Sequence, residues 1–218
     1  MIKKLAATLL ISFGIFFYAD GQIHTNSILL GGQISYYSTH INYSGYPPDQ
    51  KSTSAVFDIS AGIALKENNV YGVNLTFSPS NNANSYNGIN YVSTKANQYG
   101  LGVFDRKYRK LARDFYFFAE MGGQYLYSKQ TTTDTSGVKL ETARQSGGRI
   151  YVTPGLSYRI LNKLYLEITI PDILNLQYTI TKNETPAYNS KQSQFLFNSS
   201  LNSNGGLGFL GVGFHLIL

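Results

Sequence analysis

Five ionisable residues fall on one face of the strands that this sequence predicts, and they are the residues best suited to chemistry. They are Asp58, Glu120, Arg159, Glu167 and His215. Carboxylates beside an imidazole and a guanidinium suit a proton-linked site or a structural network of ion pairs and hydrogen bonds. We favour the structural network and expect Arg159 to pair with Glu167, because only a short turn separates their two strands.

The sequence gives little support for an enzyme. The chain has three histidines, His24, His40 and His215, and none of them stands beside a serine or a carboxylate in a motif typical of a nucleophile and its base. It has no cysteine, which excludes disulfides and cysteine-ligated metal sites. We therefore predict a protein without catalytic residues, metal or cofactor.

The elements that must position the ionisable residues are strands with alternating faces. Near the C-terminus, Leu210, Val212, Phe214, Leu216 and Leu218 share one apolar face, while the opposite face is mostly small or polar. The abundance of Tyr, Phe and Gly also favours strands and turns over helices. Eight such strands are predicted, and the fold class is therefore all-β.

The connections between these strands alternate in length. The long ones are polar, and they are residues 39–53, 79–94, 128–148 and 179–204. The short ones are residues 66–69, 106–113 and 161–163. Long outer loops, short periplasmic turns and an even strand number are typical of outer-membrane barrels. The alternation predicts an eight-stranded antiparallel transmembrane β-barrel in the outer membrane of a Gram-negative cell envelope, with both termini in the periplasm.

The N-terminus has the three parts of a secretory signal peptide. Lys3 and Lys4 precede an apolar run, and small residues follow at Ala19 and Gly21. We predict a cleaved signal peptide at residues 1–21 and a single barrel domain at residues 22–218.

Bulky inward side chains predict a plugged barrel. The interior of eight strands is just wide enough for side chains, and Tyr116, Phe118 and Tyr151 would help to fill it. A narrow, porin-like channel for small solutes remains an alternative. In the seventh strand Pro171 interrupts the pattern, and because proline cannot donate to the sheet we expect a bulge or kink there.

Two features of the predicted barrel indicate lipid as a partner. The tyrosines at the ends of outward faces would form an aromatic girdle at the membrane surfaces; they are Tyr71, Tyr99, Tyr125, Tyr127 and Tyr158. The basic run at residues 106–113, placed in a periplasmic turn, would contact phospholipid headgroups or remain solvated. A modest net charge of +6 on an exported chain does not favour nucleic acid as a partner.

Two stretches of the chain resemble a known family. The residues from Val152 to Arg159, VTPGLSYR, resemble the PGLxY strand of the small outer-membrane β-barrel proteins common in Bacteroidota. Gly213, Leu216 and Leu218 are similar to the C-terminal signal that the barrel-assembly machinery recognises, although that signal often ends in an aromatic residue. The resemblance implies the fold, the location and this machinery as a partner during biogenesis, but no defined activity.

The sequence thus predicts an outer-membrane barrel with a structural or loop-mediated binding role. The ligand outside the cell is not specified by any motif. A lipid A-modifying enzyme is the second alternative beside the narrow channel.

Overall fold

The computed structural model describes residues 23–41, 49–86, 89–185, 188–199 and 210–218, most of which form β-strands. The predicted signal peptide lies outside these residues. The strands are β1 (Ile28–Ile41), β2 (Asp49–Lys66), β3 (Asn69–Tyr86), β4 (Ile89–Lys110), β5 (Phe115–Asp134), β6 (Lys139–Arg159), β7 (Leu164–Thr169), β8 (Leu174–Glu184), β9 (Asn189–Asn198) and β10 (Gly211–Ile217). In the described part of the chain, no helix has the length and apolar character needed to cross a membrane.

These strands form a closed antiparallel ring of eight positions. Strands β1 to β6 pair in sequence order, β6 pairs with both β7 and β8, and β10 pairs with β7 and with β1. Strands β7 and β8 thus share the seventh position, and β9 and β10 share the eighth. The predicted eight-stranded antiparallel barrel is confirmed.

The break between β7 and β8 is the irregularity predicted near Pro171. The step from Thr169 to Leu174 spans five residues, whereas the facing step on β6, from Gly155 to Val152, spans three. Asp172, in this segment, has a φ of 53°, a left-handed conformation that Asp tolerates better than most residues. The extra residues re-aim the Asp172 side chain, as bulges commonly do.

The strands run further than the sequence predicted, and several predicted connections are wrong. Residues 106–110, assigned to a short turn, belong to β4, and the turn that follows is only residues 111–114. The predicted long connection 179–204 contains the end of β8 and all of β9. Polar residues misled the prediction, because strands that continue beyond the apolar zone have polar side chains on both faces.

The two ends of the barrel wall differ in how the ring is closed. At the end that holds Ile23 and Leu218, β1 pairs with β10 from Leu29 to Ile34. Beyond Ile34, toward the opposite end of the barrel, which is called the upper end below, β1 pairs only with β2 among the described residues. In the same part of the chain β9 pairs only with β8.

The outward face carries a broad apolar band. Ile59, Leu75, Leu101 and Met121 are each more than half exposed in the isolated chain. Exposure of such a band to water is unfavourable, whereas its burial in lipid is not. The band marks the membrane-facing surface of the barrel.

Candidate functional site

The end of the lumen near Ile23 and Leu218 contains an apolar floor. Ile23, which precedes β1, is fully buried, and its backbone exchanges hydrogen bonds with the turn residue Asn68. Around Ile23 lie inward side chains from seven strands, and they are Leu29, Ala64, Val70, Phe104, Tyr108, Tyr116, Phe118, Tyr165 and Ile217. Each of these side chains is at most 9% exposed, and together they form an apolar layer at this end of the lumen.

Arg106 is the centre of a charged layer directly above this floor. Its guanidinium contacts Glu120 Oε2 at 2.6 Å and Glu167 Oε2 at 3.0 Å, and the residue is only 5% exposed. The guanidinium carbon lies 4.7 Å from the ring centre of Phe118, where a cation–π contact adds to the ion pairs. Tyr108 donates to Glu167 Oε1 at 3.0 Å, so that both oxygens of this buried carboxylate have partners.

The layer continues through hydrogen bonds whose direction is fixed. Tyr151 donates its hydroxyl proton to Glu120 at 2.9 Å, and Asn74 Nδ2 donates to the Tyr151 oxygen at 2.7 Å. Asn74 must therefore present its nitrogen to Tyr151. Buried charges in this arrangement are compensated by several partners each, which a low-dielectric interior requires.

His215 lies between Glu167, Arg106 and Ser60. Its Nδ1 is 2.8 Å from Glu167 Oε2, and its Nε2 is 3.2 Å from Arg106 and 3.3 Å from Ser60 Oγ. A guanidinium can only donate, which makes Nε2 the acceptor and leaves Nδ1 as the protonated nitrogen, close to Glu167 but without a well-directed hydrogen bond to it. The order serine, histidine, carboxylate is that of a hydrolytic triad. Here, however, the lone pair that would activate Ser60 already accepts from Arg106.

A second polar layer lies above the first. Thr76 donates to Asp58 Oδ2 at 2.5 Å, and Gln124 donates to Thr76 at 2.7 Å. Arg149 donates to Gln124 at 2.8 Å and contacts Asp172 Oδ2 at 2.5 Å. The bulge after β7 thus supplies the carboxylate that pairs with Arg149.

The two layers border a cavity of about 470 Å³. Arg106, Glu120 and His215 form its lower side, and Asp58, Arg149 and Asp172 line its wall. The cavity is also lined by Gln33 and Ser35 of β1, by Asn198 at the end of β9 and by the following Ser199. The lumen is therefore filled below and partly open above.

The structure brings three of the five predicted interior residues into one cluster. Glu120, Glu167 and His215 meet around Arg106, and Asp58 lies in the layer above. The predicted pair of Arg159 with Glu167 is wrong. Arg159 bonds to Asp114 at 2.7 Å near the end of the barrel, where its side chain is 37% exposed. The register explains this, since Glu167 faces Ser157 and Arg159 faces Tyr165.

Arg106, Tyr108 and Arg149 were missed by the sequence reasoning. Arg106 and Tyr108 continue the inward parity of Gly100 and Gly102 on β4, and extending the alternation would have found them. A run of basic residues concealed that parity.

The other predicted sites lie on the outer surface. The five tyrosines assigned to an aromatic girdle are 38–59% exposed. Tyr99 packs against Phe77 with the ring centres 5.4 Å apart, and Tyr158 packs against Phe115 with the ring centres 4.6 Å apart. Leu216 and Leu218 of the predicted assembly signal also point outward, and a side chain at Gly213 would press on the Gly32 carbonyl of β1. Among the described residues, no three His, Cys, Asp or Glu side chains form a group able to hold a metal.

Comparisons with known proteins give fold likeness only. No family model and no curated protein matches the chain. OprG, an outer membrane protein from Pseudomonas aeruginosa, is 14% identical with a TM-score of 0.47, over 91% of this chain and 99% of that one. Neisserial surface protein A is 12% identical with a TM-score of 0.39, over 87% and 96%. Ail, the attachment invasion locus protein of Yersinia pestis, is 8% identical with a TM-score of 0.40, over 90% and 100%. At this level these likenesses do not bear on function.

Proposed function

We propose that this chain is a non-conducting outer-membrane barrel that binds from the outside, with its lumen closed toward the periplasm. The observation that carries the proposal is the apolar floor capped by the Arg106 layer. A porin needs a continuous aqueous path, and the fully buried Ile23 and Phe118 lie across it. The likeness of residues 152–159 to the small barrels of Bacteroidota supports the same location.

The polar ends of the strands support binding outside the membrane. About 9–11 tilted residues cross a bilayer as a β-strand, and β4 is 22 residues long. On this account the upper part of β4 projects beyond the apolar band together with the ends of β5 and β6. Their exposed side chains, which include Lys95, Asn97, Lys129 and Gln130, offer a hydrogen-bonding surface to a ligand or a neighbouring cell, together with partly exposed serines and threonines.

A catalytic role is disfavoured by the state of His215. Its Nε2 accepts from Arg106 at 3.2 Å, and a base that already holds a cationic donor is a poor proton acceptor for Ser60. A fluorophosphonate probe tests this directly. We expect no labelling of the folded protein, and labelling that disappears in Ser60→Ala would support the lipid-modifying enzyme instead.

Planar-bilayer recording tests the closed lumen. The purified barrel should insert without stepwise conductance, and Phe118→Ala, which opens the floor, should show more current than Phe115→Ala, which changes an outward phenylalanine. Stepwise conductance of the unaltered protein would support the narrow channel and contradict the proposal.

Orientation is tested by cysteine labelling on whole cells. The chain lacks cysteine, and each introduced thiol is therefore unique. A cysteine at Ser136, at the tip between β5 and β6, should react with a membrane-impermeant reagent, and one at Asn68, beside the floor, should not. The reverse pattern would place the sealed end outside.

A further inference from the structure

The charges around the lumenal cavity do not balance. In the two layers described above, two guanidinium groups, Arg106 and Arg149, face the carboxylates of Glu120, Glu167 and Asp172 through ion pairs. Asp58 adds a fourth carboxylate, and even with a positive charge on His215 the carboxylates would outnumber the cationic groups by one. The site around the cavity therefore has an excess of negative charge.

Asp58 is the carboxylate without a cationic partner. Its Oδ2 accepts from the Thr76 hydroxyl at 2.5 Å. Among the described side chains, no Lys, Arg or His nitrogen forms an ion pair with Asp58, because Arg149 pairs with Asp172 and Arg106 with Glu120 and Glu167. Asp58 is partly buried, and a carboxylate that has lost part of its hydration is stabilised by a cation or a proton.

The cavity beside Asp58 has room for such a cation. A volume of about 470 Å³ is within the range of about 300–1,000 Å³ typical of small-molecule pockets. Gln33, Ser35 and Asn198 line the same space, and each has a side-chain oxygen able to accept a hydrogen bond. A bare metal ion would leave most of this volume unfilled.

From these observations we infer that the cavity binds a small organic molecule through a primary ammonium group, with Asp58 as its counter-charge. An ammonium carries three N–H donors and no acceptor, which matches a lining that combines an unpaired carboxylate with neutral oxygens. The inference rests on the proposed function in one respect, because a ligand enters a lumen that is open at the outer end. The ammonium belongs either to a free amine or to the headgroup of an ethanolamine phospholipid.

Calorimetric titration of the purified barrel in a neutral detergent tests the inference. The probes are n-butylammonium chloride and n-butanol, which has a similar shape and no charge, in a background of excess potassium chloride. We expect saturable binding of n-butylammonium and at least tenfold weaker binding of n-butanol. No saturable binding of n-butylammonium, or equal binding of the two probes, would overturn the inference.

Matched variants locate the site. Asp58→Asn should weaken n-butylammonium binding by about 10- to 100-fold, the usual range for a lost charge-assisted hydrogen bond. Asp114→Asn makes the same charge change at the sealed end, beside Arg159, and should leave the affinity unchanged. Equal affinities of the Asp58 variant and the original protein would overturn the assignment.

Two further measurements complete the test. The affinity for dihexanoyl phosphatidylethanolamine is compared with the affinities for n-butylammonium and for dihexanoyl phosphatidylcholine, whose headgroup has no N–H donor. Tighter binding of the ethanolamine lipid than of both other probes supports a lipid, and tighter binding of n-butylammonium supports a free amine.

If Asp58→Asn does not fold, Ser35→Cys provides a readout within the cavity. Saturating n-butylammonium should slow its reaction with methyl methanethiosulfonate at least threefold, and an unchanged rate would overturn the inference. Because these assays are done in detergent, they remain valid whatever the conductance result.

Discussion

The two polar layers of the lumen are close neighbours but differ in how completely their charges are paired. Around Arg106, each carboxylate has a cation and further hydrogen bonds, and aromatic rings fill the remaining space. Around Asp58, one carboxylate lacks a cation and a cavity takes the place of the rings. We infer from this comparison that the lower layer stabilises and closes the barrel, whereas the upper layer is packed less densely and leaves space for a ligand.

The largest expected effect is that of Arg106→Met. The change leaves Glu120 and Glu167 without their cation in a closed layer, and removing one partner of a buried ion pair typically costs about 3–5 kcal/mol. Urea unfolding in lipid vesicles or detergent should show a loss of this size. Arg159→Met is the matched control, and we expect a loss of at most about 1 kcal/mol because its pair is partly exposed.

A double-mutant cycle sharpens this prediction. Glu167→Gln should couple with Arg106→Met and should be additive with Arg159→Met. Coupling to Arg159 alone would restore the pair that the sequence suggested and would contradict the network described for the lower layer.

The next effect concerns packing around Tyr151, which joins the two layers. A methyl group at Gly122 would lie 2.5 Å from the Tyr151 ring, whereas at the adjacent Gly123 the nearest atom is 3.9 Å away. Gly122→Ala should therefore destabilise the barrel by about 1–3 kcal/mol, as overpacking usually does. Gly123→Ala should stay within about 0.5 kcal/mol. Equal unfolding midpoints for the two variants would show that Tyr151 is not held in this position.

A smaller loss is expected in the upper layer. Asp172→Asn removes the partner of Arg149, but both side chains are partly exposed beside the cavity, at 17% and 29%. We expect a cost of about 1 kcal/mol or less in the same unfolding assay. A loss as large as that of Arg106→Met would mean that the two layers do not differ as described.

The smallest effect lies outside the lumen, at the tip between β5 and β6. Hydrogen bonds from Ser136 hold the pKa of Asp134 below its usual range, and the carboxylate also accepts from the Val138 amide at 2.8 Å. Because folding lowers this pKa, the ionised carboxylate stabilises the folded tip at pH values above the ordinary carboxyl pKa. The contribution is lost as the pH falls through the folded-state pKa. The protection factors of the Ser136 and Val138 amides in hydrogen exchange, taken relative to the intrinsic rate at each pH, should fall on acidification, and Asp134→Ala should abolish this dependence. Protection factors that change neither with pH nor in Asp134→Ala would contradict the assigned turn.

The sequence predicted the barrel well because alternation is a local property. The alternation of apolar and polar residues within one strand shows its two faces without information from neighbouring strands. For this reason the eight strand positions of the barrel and the bulge near Pro171 could be predicted. Pairing inside the lumen depends instead on the register between strands and on where each strand ends. The run of basic residues around Arg106 predicted a turn there. Arg159 was predicted to pair with Glu167 because the two residues are close in the chain. Only the β6–β7 register places Ser157, not Arg159, opposite Glu167.

The contrast between a sealed lower lumen and an open upper one is tested most directly by two serine-to-cysteine changes. Ser35 lines the cavity, and Ser157 is fully buried at the lower level, opposite Tyr116 and Glu167. In detergent, where both ends of the barrel are accessible, methyl methanethiosulfonate should modify Ser35→Cys in the folded protein and should modify Ser157→Cys only after unfolding. Rapid modification of Ser157→Cys in the folded barrel, at a rate similar to that of Ser35→Cys, would contradict the sealed floor.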